Sequence, residues 1–562
     1  VRLRRFFWLG LVILTGCNDD TVTGSGASAG ETMDNPFGDG DGDGDGSGSG
    51  SGSPGDGDGS PNPGDGDGDG DGDGDDGAPP EPFVPFAEAD WARGGIRLDR
   101  VEVNQGIAIP VVANGALIPT SQRTAGLVKQ RNTLIQGFWT VPNGWQARPI
   151  TARLHLRNTA GKLSYIDVTK TISGTPSAGS LTGPITWQVP AASFQGNLEF
   201  FIELREADGG GAGIAASSES PSAPAGGMQP IGVTTEFMEA KVVMVPVKYD
   251  YGNCHTDTTS ALTNNFQVFA DHLFTQTPVH TLHIEIHPEK IVQTEQVVTL
   301  AQINNALVAK RFVDFAEPNE YYFALFNSCS GGVDGAGGLA AGLPGPTKGL
   351  GDLRVSTGLW TSINWSKDTF VHEVGHSQGR PHSPCGEPGG ADPNFPHDGA
   401  RIGTWGFDIL TGQWYDPGNR RDFMSYCSPA WVSDWTWGLL HEQVRRLTAW
   451  DYAGASDGAG EFVEILHGWV HPSGLESWWT SAGELPPDML TTTESIAYYD
   501  DYGLLIDERP AASWMLEDGK TRYFMAEVPD SDIELVADIV RVSRDIEARV
   551  SRQTVTRYFD RE

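Results

Sequence analysis

Basic residues are scarce: 38 Lys and Arg stand against 74 Asp and Glu, a formal charge of −36. Such a chain repels polyanions, so nucleic-acid binding is excluded as a main activity. Cysteine is scarcer still, five in 562 residues, with none between residues 18 and 253. After residue 17 no apolar run is long enough for a bilayer-spanning helix. The shortage of positive charge is extreme over residues 18–90, which hold 20 acids and no Lys or Arg. There the chain alternates Gly and Asp with Ser and Pro, has almost no apolar surface to repay ordering, and repels itself. A solvated, extended tether is expected over 18–90. The Asp-Gly repeats lack the bidentate Glu of a calcium loop and the nonapeptide of a calcium β-helix.

The chain opens VRLRRFFWLGLVILTGC, with three Arg ahead of an apolar run, Phe6 to Leu14, that is too short to span a membrane. Leu14, Thr15, Gly16 and Cys17 resemble the lipobox of bacterial lipoproteins. The resemblance implies a signal peptide over 1–17, lipidation of Cys17, and a chain exported and lipid-anchored to the bacterial cell envelope, at the outer membrane or cell surface. An ordinary secretory signal with an incidental Cys is the alternative, and it also implies export.

Three folded segments follow, giving a multidomain α+β chain. Residues 91–236 show short runs with β-branched residues at alternate places (96–103, 147–157, 163–172, 198–204), separated by turn clusters such as Asn114-Gly115 and Asn143-Gly144. That pattern predicts an N-terminal antiparallel β-sandwich, with His155 packed in a strand. From 238 to 452 the rhythm becomes α/β. Strands are predicted over 241–248, 281–286, 321–326 and 353–359, and helices over 260–274, 300–315 and from about Asp368, so a mainly parallel sheet with helical cover is expected. A further helix, capped by Ser433 or Asp434, runs to about Trp450. Residues 453–562 predict a small C-terminal β-rich domain.

The chemistry concentrates in HEVGHSQGRPH, His372 to His382. His372 and His376 are one helical turn apart, about 6 Å along the axis and ~40° around it, so both imidazoles reach one cation. Glu373 lies ~100° from His372, placed for a water at the cation's open position rather than for the cation itself. Gly379 allows the positive φ that ends a helix, and Pro381 biases Arg380 away from helical conformation, so the chain turns in time for His382 to be a third ligand. Three His with one open position is the arrangement of a catalytic zinc site.

This HExxHxxGxxH string resembles the zinc signature of metzincin metalloproteases. Asp422-Phe423-Met424-Ser425-Tyr426 resembles that family's Met-turn, with Met424 as the apolar floor under the metal, and its Met-Ser-Tyr order is similar to serralysins. The resemblance covers about 240–450 and implies a metzincin-like α/β catalytic domain with Tyr426 as the oxyanion donor. Ser383 after the third His is as in matrixins, so the chain matches no one subfamily. The stretch GARIGTWGFD through RRDFMSYCSPAWVSDWTW resembles bacterial secreted metalloproteases that carry an N-terminal β-sandwich. In the family, the position of Gly331–Gly345 holds an edge strand that pairs with substrate backbone; a flexible surface loop is the other reading of this stretch.

Apart from Cys17, the four Cys of an exported chain permit three pairings. Cys385–Cys427 would staple the ligand loop to the Met-turn, and the resemblance, which makes the first and third strands neighbours, implies Cys254–Cys329. The empty stretch before 253 excludes a cysteine-switch propeptide. His397 is a candidate to line the cleft, Asp398, Asp408 and Asp416 are candidates for a Ca2+ site, and His280, His283 and His287 read as structural. The expected function is a membrane-anchored zinc endopeptidase acting on proteins or glycoproteins, with Glu373 as base and one Zn2+ on His372, His376 and His382. The alternative is an inactive metzincin-like binding or adhesion lipoprotein.

Overall fold

The computed structural model describes residues 81–176, 183–207, 210–452, 463–529, 535–543 and 546–558. The leader with Cys17 and residues 18–80 of the expected tether lie outside the described residues. The chain is multidomain and mostly β, with four α-helices among the described residues, so strands dominate more than the expected α+β class implies.

Two antiparallel sheets form the first unit. One runs in the order 116–117, 108–113, 97–104, 133–140, 185–189; the other in the order 229–230, 199–206, 148–157, 163–172, with 222–223 paired to 199–206. Alternation explains the packing: Ile150, Ala152, Leu154 and Leu156 of one strand all point inward and share a core with Leu98, Trp187 and Phe200. Residues 81–90 run along this unit, Glu81 N donating to Gly161 O (3.1 Å) and Phe86 N to Glu203 Oε2 (2.9 Å). His155 is buried beside Glu203, 2.7 Å away.

The second unit is built on the long strand Glu239–Tyr251. Strands Thr281–Ile286 and Glu320–Phe326 pair parallel with it, Val355–Leu359 pairs parallel with Glu320–Phe326, and Gly338–Ala340 closes the edge antiparallel. Glu320–Phe326 is buried along its whole length, which is why YYFALF reads as an unbroken apolar run. The helices are α1 (Thr259–Gln276), α2 (Ala301–Asp314), α3 (Ile363–Ser377) and α4 (Asp434–Tyr452). Helix α3 starts five residues before the expected Asp368. Its cap is Ser362, whose side chain accepts from Trp365 N, and Ser366 turns inward to donate to Leu359 O at 2.9 Å. Ser433 caps α4, accepting from Thr436 N at 3.0 Å.

The sandwich grips this unit from one side. Arg131 is fully buried and donates to Phe274 O (2.8 Å) and Thr277 O (3.1 Å), satisfying carbonyls at the α1 C-terminus with a positive charge, and to Gln105 O (2.8 Å). At Gly106 a Cβ would lie 2.2 Å from the Trp437 ring, so only glycine allows that approach. Its carbonyl accepts from Trp431 Nε1 at 2.9 Å.

The third unit is an eight-stranded sheet in the order 546–551, 538–543, 490–499, 505–515, 522–527, 463–470, 476–483, 555–557. It shares a continuous apolar core with the second unit: Trp469, Trp479, Leu516 and Tyr523 pack with Leu300, Leu307, Leu339 and Leu353. Within it His467 is buried, stacked on Trp479 with 5.5 Å between ring centroids, and bonded through Nε2 to Ser481 Oγ at 3.0 Å. Burial lowers it from 6.5 to about 4. Between these two values the unfolded chain binds a proton that the fold refuses. Stability is therefore expected to fall as pH drops through 6.5 and to stop falling on this account below 4, a loss on the order of 3 kcal/mol. Urea unfolding of wild type and His467→Gln across pH 4–7 checks this; equal pH slopes would contradict it.

Candidate metal centre

Helix α3 delivers the first two histidines. Its Cβ vectors place His372 and His376 on one face, and their Nε2 atoms are 3.0 Å apart. Past Ser377 the chain turns: Gly379 has φ +77°, Gly379 N donates to His376 O (2.7 Å), and Arg380 N reaches back to Gly375 O (3.0 Å). That turn brings His382 round, its ring centroid 4.6 Å from that of His376.

Each ring is fixed from behind. His372 Nδ1 donates to Phe423 O (2.8 Å), His376 Nδ1 to Arg380 O (2.6 Å) and His382 Nδ1 to Gly389 O (2.6 Å). A carbonyl only accepts, so the proton of each neutral ring sits on Nδ1 and all three Nε2 lone pairs face inward. Burial holds His372 and His376 down to about 3 and lowers His382, keeping the rings neutral. His382 Nε2 is buried without a partner. Two Nε2 acceptors 3.0 Å apart and a third orphaned beside them leave an uncompensated negative focus, which is the donor set of a divalent cation that prefers nitrogen. The residues fit a metal.

The segment Asp422–Tyr426 forms the floor. Met424 is fully buried, and Gly375 makes room for it: a Cβ at 375 would lie 2.5 Å from Met424 Sδ. Asp422 ties the region together. Its Oδ1 accepts from Met424 N (2.9 Å) and Ser383 Oγ (2.8 Å), and its Oδ2 from Ser433 N (2.9 Å). Ser383 N in turn donates to Met424 O at 3.0 Å. In sequence Asp422 is only the first residue of the Met-turn-like segment, and nothing but an acid directly before an apolar Phe-Met pair signals this role. Ser383 is marked in sequence only as the residue after the third His.

Disulfides join Cys385 to Cys427 and Cys254 to Cys329. The first crosses from the ligand loop to the residue after Tyr426 and closes 42 residues. Replacing both Cys385 and Cys427 by Ser is expected to cost about 4 kcal/mol in denaturant unfolding of the block that holds them; a loss under 1 kcal/mol would contradict this loop-closure contribution.

A cleft of about 580 Å³ opens beside His372 and Glu373, lined by Gly337, Gly338, Trp365, Thr369, Tyr426 and Glu517 among others. Glu373 is buried, and the edge strand presses on it: a Cβ at Gly338 would lie 2.0 Å from Glu373 Oε1. Burial and the facing Glu517 push its carboxyl well above the usual range. Tyr426 is half exposed, its ring 4.8 Å from His382 and 5.9 Å from His372, and burial of the phenol with two nearby carboxylates raises its pKa.

Glu517 is the member that sequence reasoning missed. It comes from the third unit, and with His372, His376 and His382 it forms a cluster whose ligand atoms lie within 4.8 Å of one another. No local motif marks it, because its neighbours at the site are supplied by a different unit.

The other candidates lie elsewhere. His397 pairs with Asp434 at 2.6 Å and is not among the cleft-lining residues. His283 and His280 face Glu239, and His287 faces Asp314. Asp398, Asp408 and Asp416 form no metal-binding group among the described residues. Asp408 caps the backbone of Leu410 and Thr411, and Asp416 that of Gly418, so these two carboxylates are spent on their own turns.

The family model Peptidase M66 matches residues 341–423, which contain α3 and all three histidines. The chain carries a peptidase segment. Its substrate is accordingly protein. No curated protein matches the chain.

Proposed function

We propose that the chain is a zinc-dependent endopeptidase of metzincin type, exported and lipid-anchored through Cys17, that cleaves proteins or glycoproteins in the cleft over α3. The observation that carries this reading is the set of three Nε2 lone pairs, each aimed inward by an Nδ1–H bonded to a backbone carbonyl, with the buried Glu373 carboxyl beside them.

A zinc ion held by His372, His376 and His382 supplies Lewis acidity toward the scissile carbonyl and the attacking water. The protein does the rest. Substrate backbone aligns along Gly338–Ala340, the terminal strand of its sheet, in β-augmentation. Glu373 accepts a proton from the water and returns it to the leaving amine. Its position over Gly338 sets it against that aligned strand. Tyr426 donates its phenol proton toward the developing oxyanion, and its exposure leaves the ring free to turn. Met424 and Phe423 hold the floor so that the His372 ring keeps its angle.

Metal analysis with a cleavage assay on mixed peptides tests the reading. One equivalent of zinc is expected, with cleavage stopped by chelator and restored by added zinc. A chain that binds no metal after dialysis against zinc, or whose cleavage ignores the chelator, would sink it.

A further inference from the structure

A catalytic zinc site keeps one coordination position open, whereas four protein ligands close it. Here a fourth protein group stands among the histidines. Glu517 sits in the turn between strands Leu505–Met515 and Arg522–Glu527, and its Oε1 lies against His376 Nε2. Its carboxyl also faces that of Glu373, the proposed base, across the same cleft. Asp518 follows it into the lining of the same cleft, so the turn forms part of the wall a substrate would meet.

The turn is held there by contacts away from the histidines. Lys520 Nζ pairs with Asp334 Oδ1 at 2.7 Å and donates to Asp334 O at 2.9 Å, and His471 Nε2 meets Asp334 Oδ2 at 3.0 Å. Leu516 is buried in the core that joins the two units. That shared core makes a swing of the whole third unit costly. The movable part is the tip after Leu516, where Gly519 (φ +64°) and Lys520 are exposed.

Resting on the reading of this site as a peptidase metal centre, we propose that Glu517 is a built-in fourth metal ligand that keeps the enzyme latent until the tip of its turn is displaced. Carboxylate release opens the coordination position and frees Glu373 in one movement, with no bond to the chain cut.

The test uses the full chain loaded with cobalt. Glu517→Ala is expected to keep one equivalent of cobalt, to change the cobalt visible absorption spectrum, and to cleave casein at least tenfold faster than wild type. Lys520→Ala, which leaves the ligand set intact and loosens only the tie to Asp334, is expected to speed cleavage severalfold and decides the matter should Glu517→Ala fold poorly. Cobalt bound in both Glu517→Ala and wild type with superimposable spectra, or no gain in cleavage in either variant, overturns the proposal while leaving the metal centre standing. Absence of bound cobalt in all three proteins overturns the underlying reading as well.

Discussion

Glu373→Gln is expected to bind one equivalent of zinc as wild type does and to lose about 10²–10⁴-fold in cleavage rate. The amide has nearly the volume of the acid, so it fits the narrow space against Gly338, where even a Cβ would lie 2.0 Å from Glu373 Oε1. What it lacks is the ability to take a proton. Because the three ligands are each oriented by a backbone carbonyl and not by Glu373, metal binding should be untouched, and the loss should fall on kcat with KM little changed. His376→Ala is the contrasting control, expected to lose metal and activity together. The measurement is best made in wild type and again with Glu517→Ala, since Glu517 faces Glu373 and raises its pKa. Cleavage by Glu373→Gln within threefold of its parent in both settings would remove Glu373 as the base.

The second large effect is expected at Asp422, which no substrate touches. Asp422→Ala strips three buried donors of their acceptor at once: Met424 N, Ser383 Oγ and Ser433 N. Each buried donor left unsatisfied costs about 1–3 kcal/mol, so a loss of about 3 kcal/mol or more is expected in urea unfolding. The same change should loosen zinc by about 10–100-fold, because Phe423 O and Ser383 hold the first and third ligands through this carboxylate. Competition with a colorimetric chelator reads the affinity. Unchanged zinc affinity in a destabilised Asp422→Ala would show that the floor and the ligand set are mechanically separate.

The convergence of the three histidines was legible because helix geometry is local: His372 and His376 are one turn apart, and Gly379 with Pro381 marks where the turn must come. The strands of the second unit were legible for a similar reason, since a fully buried parallel strand such as Glu320–Phe326 needs a continuous apolar run. The start of α3 was missed because its first turn, with Asn364, Ser366 and Lys367, looks like loop until Ser362 is seen as its cap. Strands cannot announce their partners in the same way. Nothing near Leu516-Glu517-Asp518 indicates that this turn packs over histidines from another unit, and nothing near Asp422 shows that its acceptors are spent on residues 383 and 433. Those contacts arise from long-range closure, on which periodicity is silent. Asp408 and Asp416 show the converse error: acids spaced like ligands are used up by adjacent backbone.

The clamp at Gly106 and Arg131 bears on how this molecule could be divided. An excised second unit would expose the indole of Trp437 and leave the last carbonyls of α1 and the Trp431 N–H without their partners. The first two units therefore behave as a single cooperative block, and recombinant boundaries drawn at the change of sequence rhythm near 237 would cut through the load they share.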